Sequence, residues 1–198
     1  MAIDSPSPME LALTWDLFVI VFFAIITAYS FIVGKHESIK IIIAIYIAVL
    51  TVQGIGNVLL RLTSQSTPLF NVVGISVDPT LLATFKLLLF VIAIIFLTVR
   101  GGFEIRYTRE TGSVLNTILT GLFGFATAGL LLSTLLTFIA NAPLLSSTLA
   151  LTPSLSPLMA QSKLLEVMVL NQDLWFSLPA LLLVAAGFIG EIEEEEPD

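Results

Sequence analysis

The chain has no cysteine, a single histidine and few charges, with Asp, Glu, Lys and Arg together making up 12% of its 198 residues. A soluble globular protein carries about 25% charged residues, so this composition excludes an ordinary soluble domain. The missing cysteine excludes disulfides, thiolate metal sites and thiol nucleophiles, and leaves the redox compartment open. A lone histidine cannot build a multi-histidine metal centre, and His36, between Lys35 and Glu37, reads as a solvated loop residue. Also absent are a phosphate-binding glycine loop, HExxH, GxSxG and a pair of acids inside one apolar region, the residue sets that hydrolytic and phosphoryl-transfer sites need. The expectation is a non-enzymatic protein with no cofactor and no metal. There is no basic face for nucleic acid. The net charge is −7, and six of the fifteen acids (Glu191, Glu193, Glu194, Glu195, Glu196 and Asp198) form an acidic tail over 191–198, so the rest of the chain is near neutral.

What is present is hydrocarbon. Apolar residues make up 57% of the chain and the mean hydropathy is +1.02. Five windows, 11–33, 41–60, 80–99, 113–140 and 174–190, contain just two charged residues, Asp16 and Lys86. A stretch of about 18 or more apolar residues reads as a membrane span. Only helices or closed barrels satisfy backbone polar groups in lipid, and these runs lack the ten-residue alternation of a barrel. The expected fold is all-α: one polytopic transmembrane helical bundle over 1–198, with four spans in the first four windows. The fifth window has 17 residues and contains Pro179, so 174–190 is either a short fifth span or a re-entrant or interfacial segment. Trp15 and Tyr29 lie near the two ends of the first window, as an aromatic belt places them. Residues 1–10 hold no Lys or Arg, unlike a cleavable signal peptide, so 11–33 is expected to be a retained span.

Lys and Arg set the orientation. The links 34–40 and 100–112 hold Lys35, Lys40, Arg100, Arg106 and Arg109, whereas the other links hold Arg61 and Lys163. The N-terminus is therefore expected outside and those two links in the cytoplasm, the first as a tight helical hairpin. A fifth span would carry the acidic tail inside. Arg100, Arg106 and Arg109 with Tyr107 would anchor this topology or touch anionic lipid, with Glu104 and Glu110 interspersed.

Asp16 and Lys86 are the sharpest functional candidates. Each lies about 8–9 Å inside the outer end of its helix at 1.5 Å per residue, so the two can pair at one depth, with Asn57 or Gln53, and line a cavity. Alternatively, Lys86 snorkels to the interface and Asp16 sits in it. Span four carries Gly121, Gly124, Ala128, Gly129 and Ser133. Gly124/Ala128 and Gly129/Ser133 are small-xxx-small pairs that let helices approach closely within a bundle or in an oligomer, and Gly54 and Gly56 can do the same on span two. Pro143, Pro153 and Pro157 punctuate 141–173. There Ser156 reads as an N-cap before proline and predicts a short helix over Pro157–Asn171. Its apolar face is Leu158, Leu165, Met168 and Val169, with Ser162, Glu166 and Asp173 near one side; such a helix would lie along the outer interface or, with so few Lys and Arg, pack on the bundle.

Thr14-Trp15-Asp16 before the first span, Gly34-Lys35 after it, Asn116 before the fourth, and Gly121, Gly124 and Gly129 within that span resemble the colicin V production (CvpA-like) family of bacterial inner-membrane proteins. The resemblance covers about 14–140. It departs at Gly34-Lys35-His36, where the family has an arginine-glycine-phenylalanine signature, at Asn116, which lacks the accompanying basic residue, and in the five-residue gap from Gly124 to Gly129. It implies a non-enzymatic protein of the bacterial cytoplasmic membrane, tied to bacteriocin export, envelope homeostasis or cell-surface growth through other membrane proteins. The competing expectation is a small channel or transporter with an outer vestibule at Asp16 and Lys86. The two hairpins would then form a parallel repeat, but no similarity between them is evident.

Overall fold

A computed structural model describes residues 15–65, 79–100, 113–145 and 149–192. The regular elements among them are helices: α1 (Trp15–Gln65), α2 (Pro79–Arg100), α3 (Ser113–Ile139), α4 (Ser156–Gln161), α5 (Lys163–Leu170) and α6 (Gln172–Ile192), with a 3-10 turn at Leu149–Leu151. Residues 11–14 of the first window, the link with Glu104, Arg106, Tyr107, Arg109 and Glu110, and tail residues 193–198 lie outside the described residues.

The 51 residues of α1 would make a straight rod of about 75 Å, more than twice the ~30 Å hydrocarbon core of a bilayer. The helix instead breaks at Gly34 (φ 84, ψ 173), in a backbone region that is essentially restricted to glycine. The Ser30 and Ser38 hydroxyls are hydrogen-bonded to each other. Eight residues of straight helix would separate them by about 12 Å, so the chain reverses here. Ser38 also donates to the Gly34 carbonyl at 2.9 Å. One residue thus does the work expected of the whole link 34–40, and Lys35, His36 and Lys40 stand in the opening turns of the second arm. His36 is exposed, as expected, but on a helix rather than a loop.

The two arms, 15–33 and 35–65, pack on α3, which is the centre of the bundle. Of the most apolar stretch of α3, 72% is buried, against 11% for α1 and 17% for α2. Its small residues make this possible, because neighbouring backbones can close in on a helix that presents little side chain. Ile42, Ile45, Val49 and Val52 of the second arm meet Phe90 of α2 and Phe123, Leu130 and Phe138 of α3 in the main core, where the Phe90 and Phe138 rings pack edge to face at 5.2 Å. A second cluster joins Val19 of the first arm to Leu132 and Leu136 of α3 and to Leu155, Leu165 and Met168. Away from the core, Leu81, Leu88, Ile92, Ile95 and Val99 of α2 are exposed. They follow one another at helical spacing, as a lipid-facing stripe does.

Three helices are long and apolar enough to cross a membrane among the described residues: α1 over Trp15–Arg61, α2 over Thr80–Arg100 and α3 over Val114–Ile139. A fourth is added if the bent pair Lys163–Leu170 and Gln172–Gly187, which meet at 70°, counts as one span. The last window therefore belongs to a helix longer than expected, Gln172–Ile192, which retains Pro179.

The helix expected over Pro157–Asn171 is two helices. Leu155, not Ser156, precedes α4 as its cap, and the proline stands within the first turn. Ser162 leaves helical geometry (φ −143, ψ 115), and its hydroxyl accepts from Leu165 N at the start of α5. The stretch divides because Ser162 is a good N-cap and has a partner, Asp16, on α1.

Candidate functional site

The end of the bundle remote from Gly34 gathers the two charges of the apolar windows, Asp16 and Lys86, but in separate places. Asp16, in the first turn of α1, accepts hydrogen bonds from the Ser162 hydroxyl at 2.5 Å and the Leu164 backbone N–H at 3.1 Å. Negative groups at the first turn of a helix meet its unpaired N–H groups and positive dipole end. Asp16 and Ser162 together therefore cap α5 and tie it to the first arm.

Lys86 is buried, with 3% of its surface exposed, and donates to Asn141 Oδ1 at 2.8 Å. The expected Asp16–Lys86 pair does not form. Similar depth brought both residues to one end of the bundle, but Lys86 lies against the second arm at Gly56, whereas Asp16 belongs to the first arm beside α5. Asn57 does not complete a pair either: it is exposed, while its neighbour Gly56 faces the lysine stem. Gln53, one turn earlier, is partly buried and its Oε1 has no hydrogen-bond partner.

Asn141 has a fixed place. Asn141 N bonds the Phe138 carbonyl at 3.0 Å and Ala142 N bonds the Thr137 carbonyl at 3.2 Å. With φ of 50° at Asn141, this is a Schellman ending of α3, in which asparagine is the usual substitute for glycine. The signal was present in the sequence as asparagine after the last periodic residue, followed shortly by proline. The Lys86 ammonium thus lies at the negative end of α3, an arrangement worth up to ~2 kcal/mol. Its hydrogen bond to a neutral amide adds roughly 1.5–3 kcal/mol. Burying an ion costs several kcal/mol, so these two contributions offset part of that cost. A cavity of about 540 Å³ opens beside the pair, lined by Thr80, Thr84, Asn141, Pro153 and Ser154 among others.

The other polar contacts join helices. Gln172 donates to Thr137 Oγ1 at 2.7 Å, linking α6 to α3, and Thr137 in turn donates to the Ser133 carbonyl. Tyr46 donates to the Phe176 carbonyl, and Ser30 reaches the Thr120 carbonyl at 3.2 Å. The small residues serve the same end. A Cβ on Gly124 would lie 2.7 Å from Ser30 Cβ, one on Gly129 would lie 2.1 Å from the Trp175 ring, and one on Gly121 would lie 3.0 Å from Phe31. Ala128 is fully buried. Of the two packing modes open to these residues, the structure shows the one within the chain. Trp175, which the sequence did not single out, fills the notch at Gly129 and packs against Phe23 and Phe125 at 5.6 and 5.7 Å. No family model, curated protein or solved structure matches the chain.

Proposed function

We propose that this is a non-enzymatic integral membrane protein of the bacterial cytoplasmic membrane that acts as an accessory or scaffold for other membrane proteins, in the manner of the colicin V production family it resembles. The supporting observation is how its polar groups are used: Asp16, Ser162, Gln172 and Tyr46 join one helix to another inside the bundle. Its apolar outer faces, such as the α2 stripe, are left for lipid or for a neighbouring protein. In this reading the two arms of α1 cross separately, α2 and α3 add two crossings, and α6 with or without α5 adds the last. The N-terminus is outside, and the end with Gly34, Lys35, Lys40 and Arg100 faces the cytoplasm. Photo-crosslinking from Leu88 and Ile92 in native membranes tests it. A stoichiometric adduct with one defined membrane protein, or with a second copy, is expected; adducts with lipid alone would overturn it.

One observation favours a second reading, a small channel or transporter: a buried lysine beside a cavity. The vestibule would then belong to Lys86 and Asn141 rather than to Asp16 and Lys86. Solute or ion flux through the reconstituted protein that is unchanged by Lys86→Met would remove it.

A further inference from the structure

We infer that Lys86 and Asn141 form the recognition point of a binding site for a small oxyanion, a carboxylate or phosphate group, held at the inner wall of the 540 Å³ cavity. Lys86 is almost wholly buried, and its described hydrogen bond goes to the neutral oxygen of Asn141. Among the described residues no ion pair of Lys86 is found. Buried ammonium groups are ordinarily paired with an anion, and here the negative end of α3 supplies only about half a charge.

Geometry supplies the rest. Asn141 touches both the ammonium and the cavity, and its Schellman backbone holds it there. Its Oδ1 accepts from Lys86, which leaves its amide N–H groups as donors. Lys86 itself does not line the cavity; an oxyanion there can accept from that amide, with the ammonium one hydrogen bond behind it. Among the described residues, the polar ones lining the cavity are Thr80, Thr84, Asn141 and Ser154, with no carboxylate that would repel an anion. Gly56 leaves the room: a Cβ there would come within 2.5 Å of Lys86 Cε, so the lysine stem would have to shift from its place against the second arm. Lys86 lies about two turns into α2, roughly 10 Å below its start at 1.5 Å per residue. A free solute therefore fits the site better than a lipid headgroup.

The test uses the full chain in nanodiscs of zwitterionic phosphatidylcholine, titrated calorimetrically with inorganic phosphate or acetate at constant ionic strength. Saturable binding of at least one of them is expected, and the arm that responds identifies the group. Lys86→Met should weaken it at least tenfold, a change of about 1.4 kcal/mol. Asn141→Asp keeps the shape and supplies an internal carboxylate, so it should abolish binding while keeping or raising the thermal midpoint. Absence of saturable binding in the wild type, or wild-type binding by both variants, would overturn the inference. Asp78, which lies outside the described residues, is the remaining control: Asp78→Asn should leave binding unchanged, and a gain of binding would show that the chain supplies its own counter-ion. The inference does not rest on the scaffold role, since a protein that captures its partner yet binds no oxyanion would fail here alone.

Discussion

Replacing Gly124 by alanine tests the central packing of the bundle, and Gly54→Ala provides the matched control. A methyl group on Gly124 would lie 2.7 Å from Ser30 Cβ and 3.0 Å from the Thr27 backbone Cα. Carbon atoms rest at about 3.5–4.0 Å, so the first arm must retreat by about 0.8 Å or more. Backbone cannot rotate out of the way as a side-chain tip can. The retreat also stretches the Ser30–Thr120 hydrogen bond, now 3.2 Å, past the distance at which it counts as one. Overpacking of this kind costs ~1–3 kcal/mol and the strained hydrogen bond up to ~1 kcal/mol. Against this, alanine gains at most about 1 kcal/mol in helix propensity. Gly124→Ala should therefore be destabilising by roughly 1–3 kcal/mol. Nothing lies within 4 Å of a Cβ at Gly54, so there only the propensity gain remains and the change should be neutral or slightly stabilising. Both are read from reversible unfolding by SDS in the same bicelles. Equal unfolding of the two variants would refute the reasoning. So would a Gly124→Ala protein that unfolds normally but loses a homo-oligomer, since the glycine would then face another copy.

Gly34→Ala should destabilise by ~1–3 kcal/mol although a Cβ there meets nothing within 4 Å, because the cost lies in the backbone at φ 84; the same SDS titration reads it. Ser162→Ala should cost about 1 kcal/mol, since the hydroxyl both accepts from Leu165 N and donates to Asp16. Asp16→Ala should speed amide exchange at Leu164, whose N–H it accepts, while leaving exchange in the core of α3 unchanged; equal acceleration in both would show a global rather than a local effect. Because the chain has no cysteine, His36→Cys and Ser154→Cys give clean labelling sites, both exposed and at opposite ends of the bundle. The proposed orientation expects a membrane-impermeant maleimide to reach position 154 from outside and position 36 only after lysis.

The long helices were legible in the sequence because hydrophobic length sets them. The windows 80–99 and 113–140 became Pro79–Arg100 and Ser113–Ile139, and Gly34 marked the break between the first two windows. Less legible were the local details that depend on a distant partner. Seven link residues collapsed to one because Ser30 and Ser38 bond across the turn. One expected helix became two because Ser162 faces Asp16 across 146 residues of chain. Trp175 gained its role only from the notch at Gly129.

The candidate site divides in the same way. Apolar run length and the rise per residue place Asp16 and Lys86 at similar depth, since both are measured along a helix axis. Neither quantity contains the rotation of a helix or the identity of its neighbour, which are set by side-chain packing between helices. The sequence by itself determined a bundle of apolar helices with two charges near one end. The tertiary structure decided that Asp16 caps α5 and that Lys86 meets Asn141 beside a cavity, because only the packing of α3 against both arms of α1 selects which side chains meet.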